Sequence, residues 1–292
     1  METTRLQGSR FAAGTTGTNS RVKVKAVGGS RVTLAYRYYA VNRSDPAVVL
    51  LHGLGSAGLD WSMQIAELVH RYRVVALDFP GHGESPPLYS RTTIPELSSK
   101  VYRTINSLNT ESGILIGHSL GGLTALQMVL DSPEHFKALV LVNAVPRMKI
   151  SRHSLRQAMG RVPDVLLGRM DRLAEFVASE HFPHQEQDLL RRLAVRRIKS
   201  VEQDTYTHMM TAILRFDVRR KLDRIRMPVL VVSGSDDRVF SLAEKKILAE
   251  YIPDVTWIEM EHSGHASPQD APERFNRVMW SFLDQLDGHG DL

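Results

Sequence analysis

The pentapeptide Gly117-His118-Ser119-Leu120-Gly121 is the segment whose residue types most directly indicate chemistry. It follows the apolar run 114–116 and precedes an apolar segment of helix length, so its Gly-x-Ser-x-Gly motif is predicted to lie on a strand-to-helix turn. Glycines permit such a sharp turn, and the N-terminus of the following helix favours an anion developing on Ser119. A serine that only caps the helix is the alternative. The placement between strand and helix favours Ser119 as a nucleophile.

A nucleophilic serine needs a general base, and the base needs an acid that orients it. Two adjacent carboxylates, Asp236 and Asp237, follow the apolar run 229–232, and two histidines, His262 and His265, follow the run 255–258. Parallel strands place their carboxyl ends at one edge of a sheet, where ligands bind. The order Ser, Asp, His is the one expected for a serine on this kind of turn.

The elements that must position these residues alternate between strands and helices. Short, continuous apolar runs are typical of parallel strands buried on both faces, and they occur at 47–51, 74–77, 114–116, 139–142 and 229–232. Helix-length segments separate them at 61–71, 94–108, 119–131 and 243–251. Residues 21–39 alternate apolar and polar residues around Gly28-Gly29, which predicts a β-hairpin. The fold class predicted is α/β, a mostly parallel central sheet with helices on both faces.

One long interruption divides this alternation. Between Val142 and Val229 there is no convincing buried strand, but apolar residues recur at helical spacing, which predicts a helical cap over the sheet. The domain prediction is therefore a core of residues 21–145 and 227–287 and a cap of residues 146–226. Residues 1–20 are rich in Thr, Gly, Ser and Arg and are predicted to be disordered.

Four motifs together make the chain resemble the α/β-hydrolase fold superfamily, in its capped group of esterases, lactonases and carbon–carbon bond hydrolases. They are the loop 51–55 (LHGLG), the loop 78–85 (DFPGHGES), the Ser119 turn, and the loops that carry Asp237 and His265. The resemblance covers residues 21 to about 286. It is specific for the fold and only weakly specific for the substrate.

The resemblance implies a role for individual residues. The family's acid falls three residues after the strand-end glycine, which favours Asp237 over Asp236, and its base lies in a Gly-His pair, which favours His265 over His262. Some relatives carry the acid after the preceding strand, where this chain has Asn143, an amide that cannot serve. The oxyanion hole is expected from the backbone N–H groups of Leu54 and Leu120.

The function these residues predict is that of a serine hydrolase, which cleaves an ester-like bond through an acyl-enzyme. Carbon–carbon bond hydrolysis and cofactor-free haloperoxidase chemistry use the same triad and stay open, as does a receptor that only binds its ligand. Dehalogenases and epoxide hydrolases of this fold carry aspartate at the turn, so Ser119 argues against both. We expect no cofactor and no metal: the chain lacks cysteine, and its histidines lack ligand spacing.

The excess of basic residues is concentrated in the predicted cap. Residues 147–226 hold 18 Lys and Arg against 10 Asp and Glu, so the net charge of +5 is +8 there and −3 elsewhere. On the helix predicted around 189–198, Arg191, Arg192 and Arg196 lie opposite the apolar positions, which favours a solvated face. The alternative is attraction of an acidic substrate or an anionic membrane surface.

Partners and compartment follow from the same composition. We expect a small acyl substrate, apolar or anionic, and no nucleic acid, because no reading motif accompanies the charge. No apolar run approaches the roughly 18 residues that span a bilayer. A cytoplasmic location is predicted, with an N-terminal targeting segment left open and the oligomeric state unassigned.

Overall fold

The computed structural model describes residues 34–42, 46–108, 113–148, 152–286 and 288. The predicted disordered segment 1–20 and most of the predicted hairpin 21–39 lie outside these residues. What is described of the hairpin is one strand, Tyr36–Tyr39.

A seven-stranded sheet forms the centre of the described chain, and six of its strands are parallel. The order across the sheet is β1-β3-β2-β4-β5-β6-β7, with β1 antiparallel to β3 at one edge. The strands are β1 Tyr36–Tyr39, β2 Ala47–Leu51, β3 Arg73–Leu77, β4 Gly113–His118, β5 Phe136–Val142, β6 Val229–Gly234 and β7 Val255–Met260. Each apolar run singled out in the sequence lies within one of the parallel strands.

Helices cover both faces of this sheet, which confirms the predicted fold class. They are α1 Ser62–Leu68, α2 Ile94–Asn106, α3 Leu120–Asp131, α4 Arg152–Leu166, α5 Met170–His181, α6 Asp188–Lys199, α7 Gln203–Arg215, α8 Leu242–Tyr251, α9 Ser267–Asp270 and α10 Pro272–Leu286.

Alternation along each strand produces two apolar layers. In β2, Val48 and Leu50 pack with α1 and α10, whereas Val49 and Leu51 pack with α2 and α3 on the opposite face. Both sets are fully buried, which explains why the strands are continuous apolar runs rather than alternating ones.

Four helices, α4 to α7, occupy the segment between β5 and β6. Its division from the rest of the chain as a separate cap stays a prediction. The interpretation of α6 needs correction, because Leu189 and Leu193 are exposed rather than packed. Arg192 is exposed as expected, but Arg191 donates to the carbonyl oxygens of Phe182 and His184 at 3.0 and 2.6 Å. Arginine is long enough to satisfy main-chain acceptors beyond the end of α5, and sequence spacing does not reveal such contacts.

The carboxyl ends of the six parallel strands meet at one edge of the sheet. The loops that follow β4, β6 and β7 carry Ser119, Asp237 and His265 in turn. The architecture therefore concentrates the predicted chemistry of distant segments at this edge.

Candidate active site

Ser119 lies at the turn between β4 and α3, in a backbone conformation that serine rarely adopts. Its φ is 50° and its ψ is −116°. The turn is this tight because strand and helix approach closely: a Cβ at Gly117 would overlap the carbonyl group of Gly121, and one at Gly121 would overlap that of Leu51. Strain of this kind persists only where the surrounding packing imposes it, and it clusters at functional sites.

His265 and Asp237 form a buried pair. The two side chains are 1% exposed, and His265 Nδ1–H donates to Asp237 Oδ1 at 3.0 Å. Two backbone amides, those of Val239 and Phe240, donate to the same oxygen at 2.8 and 3.2 Å. The hydrogen bond leaves Nε2 as the ring's acceptor, the form of histidine that a general base requires.

Asp236 and His262, the alternative candidates for the acid and the base, lie apart from this pair. The Asp236 carboxylate is partly exposed and lies 3.0 Å from His184 Nε2, without the alignment of a hydrogen bond. His262 is exposed, and its backbone N–H donates to Ser235 Oγ. Neither side chain contacts His265 in the described structure. The tertiary arrangement thus pairs His265 with Asp237, the carboxylate that the resemblance favours.

Ser119 is brought to the same edge, but the described structure contains no hydrogen bond between its hydroxyl and His265. The link between the two residues is indirect, through His118. The His118 and His265 rings lie 5.0 Å apart, and His118 Nε2–H donates to the carbonyl oxygen of His265 at 2.8 Å. Catalytic hydrogen bonds often tighten only when substrate is bound, so the separation leaves the predicted triad open.

Two residues that the sequence reasoning did not select as functional, Lys245 and Asn143, hold this pair in place. Lys245, on α8, is 1% exposed, and its ammonium group lies 3.0 Å from Asp237 Oδ2. Asn143, after β5, donates to the carbonyl oxygen of His265 at 2.7 Å. A sequence signal existed for the lysine: it stands three residues before the buried Leu248, on the face that packs against the sheet.

Burial acts on the pKa of Asp237 in one direction, and the neighbouring His265 and Lys245 act in the other. Burial would raise the pKa of Asp237, but the charges of His265 and Lys245, together with their hydrogen bonds, hold it well below its ordinary value of 3.8. The carboxylate is therefore ionised throughout the physiological range.

The loop after β2, which contains the predicted oxyanion donor Leu54, is held by two buried histidines. His52 accepts a hydrogen bond from Phe79 N at 3.0 Å and donates from Nδ1 to the carbonyl oxygen of Gly53 at 2.7 Å. His82 accepts one from Gly55 N at 3.0 Å. Both rings therefore act as neutral imidazoles that fix the backbone on either side of Leu54.

The backbone amides of Leu54 and Leu120 face no acceptor among the described residues. Leu120 is the first residue of α3, where an amide has no intrahelical partner, and both leucines are buried. Free amides at this position are what an oxyanion hole requires, and their assignment to one stays a prediction.

Comparison with known proteins decides the family. A profile of the α/β hydrolase fold family matches residues 46–272. The chain belongs to this family. A putative carbamate hydrolase RutD of Escherichia coli O81 (strain ED1a) is 30% identical over 268 residues, which cover 84% of this chain and 93% of that protein.

Two further relatives are enol-lactonases. The 3-oxoadipate enol-lactonase 1 of Acinetobacter baylyi (strain ATCC 33305 / BD413 / ADP1) is 27% identical over 253 residues, 82% of this chain and 90% of its own. The crystal structure of the enol-lactonase from Burkholderia xenovorans LB400 superposes with a TM-score of 0.78 at 25% identity, over 86% of this chain and 96% of that one. This α/β hydrolase is an enzyme of the hydrolase class, as its relatives are.

A cavity of about 290 Å³ opens beside the site in this α/β hydrolase. Its walls come from the loop after β2, from α6, and from the rings of His118 and His181. Most of the lining is apolar, including Leu54, Leu193 and Ile198. The volume suits a small organic molecule next to Leu54, one of the two predicted oxyanion donors.

The part of the chain that the structure describes contains neither a metal-binding cluster nor a membrane-spanning helix. No cluster of three or more His, Asp or Glu side chains is arranged to hold a metal ion there. None of the helices described is long and apolar enough to cross a membrane.

The buried histidines predict how stability depends on pH. Burial lowers the pKa of His52 to about 4 and that of His82 and His118 to about 3, from an ordinary 6.5. The unfolded chain therefore binds more protons below pH 6.5, and the free energy of unfolding should fall as the pH drops from about 6.5 towards 4. The slope is up to about 1.4 kcal/mol per pH unit for each histidine.

Urea unfolding near pH 7 and near pH 5 measures this slope. As a matched variant, His82→Gln keeps an acceptor for the Gly55 amide but cannot titrate, so its stability should depend less on pH over the same interval. An unchanged slope in His82→Gln would show that His82 is not held neutral.

Proposed function

We propose that the protein cleaves an ester-like acyl bond of a small molecule through a triad of Ser119, His265 and Asp237. The observation that carries this proposal is the buried 3.0 Å hydrogen bond between His265 and Asp237, at the same sheet edge as the strained turn of Ser119. An imidazole oriented in this way is the base that a serine hydroxyl needs.

The mechanism follows from these positions. His265 Nε2 takes the proton of Ser119, the serine oxygen attacks the carbonyl carbon, and the amides of Leu54 and Leu120 stabilise the oxyanion. His265 then protonates the leaving group, which departs and leaves an acyl-enzyme. A water molecule, deprotonated by His265, attacks the acyl carbon, and the returning proton restores Ser119. Asp237 orients the ring and stabilises the imidazolium that forms at each step.

The names of the relatives support the same bond class. One is a putative carbamate hydrolase and another a 3-oxoadipate enol-lactonase. Carbamates and lactones both present a carbonyl carbon that carries a heteroatom leaving group, the electrophile that this mechanism attacks. We therefore rank esters, lactones and carbamates ahead of carbon–carbon bond substrates.

The nucleophile is tested by covalent labelling. A fluorophosphonate probe should label the wild-type protein on Ser119, and Ser119→Ala should lose the label together with the turnover of para-nitrophenyl esters. The control Ser200→Ala removes an exposed hydroxyl of the cap segment and should leave both unchanged. Label that persists in Ser119→Ala would overturn the assignment, and binding of esters without repeated turnover would favour a receptor.

The acid is tested by a pair of adjacent variants. Asp237→Asn should lower kcat/KM for an active ester roughly 10³- to 10⁴-fold, because the amide no longer selects the tautomer of His265 that accepts a proton. Asp236→Asn, next to it in the same loop, should change kcat/KM less than about threefold, since its carboxylate is partly exposed and lies apart from His265. The reverse ranking would make Asp236 the acid.

The character of the substrate depends on two arginines of the cap segment. Arg197 lines the cavity, but its charge is already compensated by Asp60, whose carboxylate lies 3.3 Å from Nε. Arg161 differs: its Nε and Nη2 atoms are buried without a hydrogen-bond partner in the described structure. Its guanidinium contacts the hydroxyl of Tyr206. Desolvation of these two nitrogen atoms is costly, and an anionic substrate near them would offset that cost.

Arg161 is also close to His181, whose ring lies beside that of the predicted base. Burial lowers the pKa of His181 well below 6.5, and the charges of His265 and Arg161 lower it further. The His181 ring lies 4.7 Å from that of His265. We therefore propose that the substrate carries a carboxylate or similar anion, oriented towards Arg161, and an apolar body in the cavity.

A matched pair of substrates tests this proposal. Arg161→Gln should raise KM for para-nitrophenyl hemisuccinate about tenfold and leave KM for the neutral butyrate ester unchanged, which corresponds to about 1.4 kcal/mol of lost binding. The control Arg172→Gln removes one exposed cap charge and should affect neither ester. Equal losses in both variants would indicate long-range attraction by the basic cap, and no loss in either would favour an apolar substrate.

A further inference from the structure

A buried lysine in contact with the proposed triad acid is the feature that the mechanism above leaves unused. Lys245 Nζ lies 3.0 Å from Asp237 Oδ2, 3.1 Å from Asn143 Oδ1 and 3.2 Å from the carbonyl oxygen of Gly234. These three acceptors match the three N–H bonds of an ammonium group. The charge is therefore fully hydrogen-bonded although the side chain is 1% exposed.

Packing alone does not require a lysine here. The side chain projects from α8 between the sheet and the loop after β6, in line with the buried Leu248, and an unbranched apolar side chain such as methionine has a similar volume. Burying an ammonium group carries a desolvation cost that methionine avoids. The placement of the charge against Asp237 is therefore what distinguishes lysine at this position.

The two carboxylate oxygens of Asp237 accept from different donors. Oδ1 accepts from His265 at 3.0 Å, and Oδ2 accepts from Lys245 at the same distance. The field of Asp237 stabilises a proton on His265, and a fixed positive charge on the far side of the carboxylate opposes that effect.

Several other titratable groups lie around the pair, and the charge of Arg161 acts on His181 beside it. His118, from the end of β4, and His181, from the end of α5, both face the His265 ring. Burial lowers the pKa of each well below 6.5, so both are neutral near pH 7. Glu244, beside Lys245 on α8, is engaged by the hydroxyl and amide of Ser241. The charges that act on Asp237 are those of His265 and Lys245.

We propose that Lys245 is a positioning residue, whose fixed charge holds Asp237 in place and offsets part of the field that Asp237 exerts on His265. This inference rests on the proposed hydrolase function. It concerns the pH range over which the same site works, and Lys245 itself does not contact the reacting atoms.

The test compares adjacent lysines of one helix. Lys245→Met removes the buried charge, and the control Lys246→Met removes an exposed one. In a profile of kcat/KM against pH with a para-nitrophenyl ester, Lys245→Met should move the acidic limb upwards by about one pH unit. On that limb its kcat/KM should fall about tenfold below wild type, with a smaller loss on the plateau. Lys246→Met should follow the wild-type profile.

A second measurement does not depend on turnover. NMR of the histidine rings follows the protonation of His265, and His265→Gln serves to assign its signal. The pH at the midpoint of this protonation should be higher in Lys245→Met than in wild type. An unchanged midpoint overturns the inference even if activity is lost. If wild type turns over no ester but the midpoint still moves, the proposed function fails and the inference about the pair stands.

A second variant provides a control in case Lys245→Met does not fold. Lys245→Gln keeps a hydrogen-bond donor of similar length without the charge and should show the same rise in the His265 midpoint. Thermal unfolding of each variant identifies those that fold. If Lys245→Met does not fold, the result for Lys245→Gln decides, and a wild-type midpoint in that variant rejects the electrostatic role.

Discussion

Five hydrogen bonds through the Asn143 side chain connect the loops that carry Asp237 and His265. Its amide nitrogen donates to the carbonyl oxygens of Gly264 and His265 and to Ser267 Oγ, and its amide oxygen accepts from Gly234 N and Lys245 Nζ. The residue adopts a φ of 44°, which asparagine tolerates better than most residues. An aspartate at this position would lose the three hydrogen bonds that the amide nitrogen donates. The same amide group that prevents Asn143 from acting as the acid therefore allows it to connect the loops after β6 and β7.

Neutral imidazole is used repeatedly as a structural group in this protein. His52 and His82 each accept a backbone amide on one nitrogen and donate to a carbonyl oxygen on the other. Burial keeps these rings uncharged, so their hydrogen bonds do not change across the physiological range. His265 differs from them because its hydrogen-bond partner is a carboxylate, which stabilises the protonated ring.

Several basic residues of the segment between β5 and β6 make local contacts. Arg191 satisfies carbonyl oxygens beyond α5, Arg192 pairs with Asp188, and Lys199 pairs with Asp171. Exposed pairs of this kind contribute little to stability, and the net charge of +8 is unchanged by them, because Asp171 and Asp188 are already included in that count. What distinguishes this segment chemically is the position of individual cations such as Arg161.

The strands, the helices and the turn of Ser119 could be predicted from the sequence because their signals are local. A continuous apolar run indicates that a strand is buried on both faces, and the glycines on either side of Ser119 indicate that strand and helix approach closely. The choice of Asp237 over its neighbour needed the family resemblance, since adjacent carboxylates are alike in composition. The roles of Lys245 and Asn143 could not be predicted, because the contact between them joins residues 102 positions apart. The sequence by itself thus determined the fold class and the edge where chemistry can occur, whereas only the tertiary structure decided which groups surround His265, because burial and hydrogen-bond geometry depend on segments that meet after folding.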